Sequence, residues 1–96
     1  SGIWSMRPGQ EPKEIDSPIG LLEGLDGVYQ TKDGTLLATD WESGSLFSWS
    51  KDGGMQKLAT GFNGPADFAA APNDKGLLVA VPDLVKGQIR LIQLGR

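Results

Sequence analysis

The chain has 96 residues, a net charge of −3, and neither Cys nor His. That excludes disulfides, Cys- or His-ligated zinc, His-based triads and an imidazole general base. The nine basic residues are dispersed and no apolar run approaches the length of a membrane span, so neither nucleic acid nor membrane is expected as a partner.

Fourteen Gly and six Pro punctuate the chain, and the longest run free of both is nine residues, 35–43. Globular helices average about 11–12 residues, so a helical fold would place Gly or Pro inside nearly every helix. The remaining segments have strand length. Ile3-Trp4-Ser5-Met6 and Lys13-Glu14-Ile15 are predicted as the first two strands, joined across Pro8, Gly9 and Pro12. A strand starting near Asp26 ends at the Lys32-Asp33-Gly34 turn. Leu36–Trp41 follows, then Leu46–Ser50 after Glu42-Ser43-Gly44, and then Met55–Thr60 after Lys51-Asp52-Gly53-Gly54. Gly in each of these turns supplies positive φ. A further strand is expected near Asp67. Leu77–Val81 is continuously apolar and reads as an inner strand buried on both faces. The last strand, Ile89–Leu94, alternates polar and apolar residues.

Landmarks recur along the chain. Gly24-Leu25-Asp26-Gly27-Val28 aligns with Gly64-Pro65-Ala66-Asp67-Phe68 at an offset of 40 (64 − 24), and Leu36-Leu37-Ala38 with Leu77-Leu78-Val79 at 41 (77 − 36). Gly44-Ser45-Leu46 aligns with Gly87-Gln88-Ile89 at 43 (87 − 44). A period of about 40–45 residues with four strands per unit is the pattern of a propeller blade. The predicted fold is therefore all-β: a partial β-propeller of about two four-stranded antiparallel blades plus strands of a preceding blade. Residues 1–20 would hold the outer strands of the preceding blade, 21–61 a complete blade and 62–96 the final one.

The run Leu25-Asp26-Gly27-Val28, with Asp33-Gly34-Thr35-Leu36-Leu37-Ala38-Thr39-Asp40-Trp41, Leu46-Phe47-Ser48-Trp49 and Asp52-Gly53-Gly54, resembles a late blade of the six-bladed family of gluconolactonases, senescence marker protein and luciferin-regenerating enzyme. Gly64–Phe68 and Leu77–Pro82 resemble its closing blade. The resemblance implies a divalent metal, usually calcium, held by oxygen ligands from several blades, which polarises a lactone or ester. Only Asp26 matches a ligand of that family, and it would also be the catalytic base or nucleophile. The other ligands belong to blades that this sequence does not contain, so the site is incomplete in this chain.

Each candidate has a structural alternative. Asp26 reads either as a channel-facing ligand or as a turn carboxylate capping backbone amides. Asp67 holds the corresponding place in the next unit, where Pro65 and Ala66 favour a fixed turn. Trp41 reads as a pocket aromatic or as packing, and Tyr29 offers a hydroxyl to the channel or pocket. Asp40 resembles the blade-locking Asp of repeat propellers. Two functions are expected. One is a fragment or self-assembling part of a propeller, not catalytic alone, associating with copies of itself or with remaining blades through open sheet edges. The other is a calcium-dependent lactone or ester hydrolase completed by other blades or subunits. The sequence assigns no compartment.

Overall fold

A computed structural model of the chain describes residues 3–5, 8–15, 18–22, 24–65 and 67–95. Met6 and Ala66, named in the sequence patterns above, lie outside them. The described chain is all-β. A short hairpin, β1 (Trp4–Ser5) with β2 (Lys13–Glu14), is followed by a 3-10 turn, Pro18–Leu21. Next comes a four-stranded antiparallel meander of β3 (Leu25–Gln30), β4 (Leu36–Asp40), β5 (Ser45–Ser50) and β6 (Gly54–Ala59). A three-stranded meander ends the described chain, with β7 (Ala69–Asn73), β8 (Gly76–Asp83) and β9 (Gln88–Leu94).

The order follows from short antiparallel connections, and the two faces of the central sheet follow from strand alternation. Pairs Leu36↔Trp49 and Ala38↔Phe47 alternate with Leu37↔Ser48 and Thr39↔Leu46. The first set packs with Ile3, Ile15, Ile19 and Leu22 from the N-terminal segment. On the opposite face, Leu37 and Leu46 pack with Phe62, Val79, Val81, Ile92 and Leu94 of the last sheet and the chain leading to it. The central sheet is thus covered on both sides, and every residue of β4 is buried.

This corrects the reading of Leu77–Val81 as a strand buried on both faces. In β8 full burial alternates, with Val79 and Val81 at 0% exposure and Leu78 and Ala80 only half-buried. An unbroken apolar run does not distinguish a strand covered twice from one whose second apolar face is bare. The doubly buried strand is β4, whose burial includes the polar Thr39 and Asp40.

The two meanders repeat one local construction. Asp40 ends β4 and Asp83 ends β8, and each accepts at its backbone carbonyl from a Gly N–H four residues on, Gly44 at 3.0 Å and Gly87 at 2.9 Å. Both glycines have positive φ, 63° and 65°, a conformation that L side chains rarely adopt. Trp41 N–H donates to the Gly24 carbonyl and Leu84 N–H to that of Gly64. The strands and turns around these caps therefore correspond at 43 residues (83 − 40), so the second strands align two residues further on than the sequence match of 41. The incoming chain corresponds at 40 (64 − 24).

Leu46 is fully buried between the two sheets. Leu46→Ala is expected to cost about 2–5 kcal/mol in urea unfolding, against under about 1 kcal/mol for Val28→Ala on the exposed side of β3. Similar costs at the two positions would contradict the layered core.

Candidate functional site

Asp26 lies in a β-bulge. The β3–β4 ladder pairs Leu25 with Asp40 and resumes at Val28 with Ala38. Within the gap, Gly27 N–H donates to the buried side-chain hydroxyl of Thr39 on β4 at 2.9 Å. The bulge buries Gly27 and leaves Asp26 exposed. Bulges often re-aim a side chain in this way.

Asp67 comes to the same place from the chain leading into the last sheet. A side chain at Gly27 would stand 2.9 Å from Asp67 Oδ1 and 2.8 Å from the Phe68 ring. Only a residue without Cβ allows this approach. Asp67 also accepts from the Phe68 N–H at 3.0 Å, so part of its capacity goes to its own turn. Trp41 lies at this end as well, with its ring against Gly64, and is 47% exposed. The structure thus gathers three of the sequence candidates, Asp26, Asp67 and Trp41, at one end of the sheets.

Tyr29 is elsewhere. It sits near the far end of β3 and packs with the core between the sheets. There, at the β3–β4 and β7–β8 turns, an open cleft of about 770 Å³ separates the two sheets. Leu37, Leu58, Leu77 and Leu94 line it beside Tyr29, with Lys32, Asp33 and Ser48 among the polar residues. Its size falls within the usual range for small-molecule sites. Sequence reasoning named Tyr29 without the cleft, because the four leucines come from four strands in two sheets and share no motif.

Among the described residues, the two most buried carboxylates serve the fold. Asp40 Oδ1 accepts from Gly24 N–H at 3.1 Å, and Oδ2 from the Ser43 hydroxyl at 2.7 Å. Asp83, 1% exposed, accepts from Asn63 N–H at 2.9 Å and Lys86 N–H at 3.1 Å. At Asp83 burial pushes the carboxyl pKa up, but the Asn63 and Lys86 N–H donors and the Lys86 charge outweigh it, leaving the group below its ordinary value. Around Asp83, Arg90 bonds the Thr60 carbonyl at 2.7 Å and stacks 4.2 Å from the Phe62 ring, while Lys86 Nζ reaches the Gly61 carbonyl at 3.2 Å. Both bonds tie the segment joining the sheets to the last sheet.

Calcium takes six to eight oxygen ligands. Asp26 and Asp67 would offer it two carboxylates, and among the described residues no group of three or more acidic side chains gathers into a metal cluster. A calcium centre at this end would draw most of its ligands from outside these residues. Comparison with known proteins finds no match among protein-family models, curated proteins or solved structures.

A carboxyl below its ordinary pKa stabilises the fold fully above the unfolded value near pH 4, and that contribution is lost as pH falls through the folded value. Asp83→Asn is therefore expected to lower the thermal midpoint at neutral pH. The variant should also lose less stability than the parent between about pH 4 and pH 2. An unchanged acid profile would show that Asp83 is not held as a carboxylate.

Proposed function

We propose that this chain is a segment of a gluconolactonase-like β-propeller whose own role is assembly. Its sheets are blade units that stack with further units of the same kind, and the chain is not catalytic alone. The observation that supports this reading is the recurrence of the Asp cap at Asp40 and Asp83, 43 residues apart, with equivalent backbone bonds on the incoming chain. A repeat in which each sheet covers the next one's apolar face has the logic of a propeller, where closure removes bare faces and edges. Light scattering on the purified chain at micromolar concentration is expected to give a discrete oligomer. A monomer throughout that range would count against the assembly reading.

A second reading keeps the chemistry that the sequence resemblance implies: metal-dependent hydrolysis of a lactone or ester, with the remaining ligands supplied by other blades or subunits. The approach of Asp67 to Gly27, next to Asp26, favours it, because a carboxylate of β3 and one of the chain leading into β7 then share one end. In this reading calcium raises the thermal midpoint of the assembled protein by mass action, and Asp26→Asn abolishes both that rise and any lactone hydrolysis. An assembled protein indifferent to calcium and to the substitution would leave assembly as the sole role.

A further inference from the structure

Among the described residues, nothing covers the outer face of the last sheet. The face of the last sheet turned away from the core carries Leu78, Ala80, Pro82, Ile89 and Leu91, brought side by side by the pairs Ala80↔Leu91 and Pro82↔Ile89. Ile89 is 68% exposed and Leu91 67%. Leu84, in the following turn, is 61% exposed.

The 43-residue correspondence shows what such a face meets elsewhere in this chain. Ile89 stands where Leu46 stands in the central sheet, Pro82 where Thr39 stands and Ala80 where Leu37 stands. Leu46 and Thr39 are fully buried and Leu37 is 2% exposed. Leu84 corresponds to Trp41, whose ring rests on Gly64 of the chain entering the next sheet. The occupant of the equivalent face is thus another layer of the same repeat. The contact also has a direction. The face that bears the Asp cap lies against the preceding layer, and the opposite face receives the next one. Two last sheets placed face to face would break that order.

On the opposite side, the β1–β2 hairpin lies over the central sheet. Ile3 and Ile15 pack inward, while Trp4, paired with Glu14, points away and is 61% exposed. We propose that the outer face of β7–β9 docks head-to-tail on the Trp4 face of a second copy of this chain, continuing the interface that already joins its two large sheets. The inference rests on the assembly reading above and adds to it the surfaces and their polarity. A heterologous contact of this kind gives the discrete oligomer expected above when its rotation closes into a ring.

Two variants test it. Ile89→Lys with Leu91→Lys blocks the tail at exposed positions. Trp4→Lys blocks the head and places Lys opposite Glu14, a favourable cross-strand pair. Circular dichroism checks that both retain the β fold. Each variant alone is expected to be monomeric by light scattering, and an equimolar mixture is expected to form a complex of two chains through the one intact head and the one intact tail. If the Trp4→Lys chain still assembles while the tail variant does not, the contact is face to face and the proposal is overturned. If both variants assemble as the parent does, association runs through sheet edges, which overturns the proposal and leaves the assembly reading standing. A monomeric parent chain overturns both.

Discussion

The fold turns on a carboxylate taken out of water at the end of the second strand of each large sheet. An ionised carboxylate in such a place is costly unless donors surround it. Those donors come largely from backbone that has just entered the sheet or is about to turn: Gly24 at Asp40, and Asn63 and Lys86 at Asp83. Each cap therefore ties three pieces together, namely the end of a strand, the tight turn beyond it and the incoming chain. Charge-assisted bonds to backbone N–H groups are among the stronger ones available. They are also directional, which fixes how the incoming chain approaches the sheet.

That approach sets the layering. Once the chain before β7 is held at Asp83, the aliphatic residues Val79 and Val81 meet Leu37 and Leu46, and the central sheet acquires its second cover. The N-terminal hairpin and 3-10 turn provide the first. Small sheets with little apolar area gain most from burial on both faces. The same geometry sets apart the two ends of the strands. At the cap end, Asp26, Asp67 and Trp41 gather. At the other end the sheets stand apart around the cleft that Tyr29 lines.

Much of this was legible from local chemistry. Glycine turns at Asp33-Gly34 and Ser43-Gly44 delimit strands to within a residue or two, because positive φ there is a backbone requirement rather than a tertiary effect. The correspondence of Gly44 with Gly87 held for the same reason. The sequence match of Leu36–Ala38 with Leu77–Val79 falls two residues short of the structural correspondence, since aliphatic residues in one strand are interchangeable and nothing local marks Asp83 as the counterpart of Asp40. The burial of Leu78 and Ala80 was overestimated because a second apolar face looks the same in sequence whether or not something covers it. The bulge at Asp26 depends on a cross-strand bond from Gly27 to Thr39, twelve residues away, and left no local signature. Neither did the cleft, whose walls come from separate sheets.

Amide hydrogen exchange, read residue by residue in the parent chain and in Asp83→Asn, tests the cap most directly. In the parent, the Asn63 and Lys86 amides should exchange far more slowly than that of Gly53, which is held by an exposed serine hydroxyl. In the variant, both should speed up together with Leu84, whose N–H depends on the chain that Asp83 holds, while Gly24 and Trp41 at the other cap keep their protection. Fast exchange at Asn63 and Lys86 in the parent, or no local change on substitution, would contradict an account in which a buried carboxylate anchors each sheet.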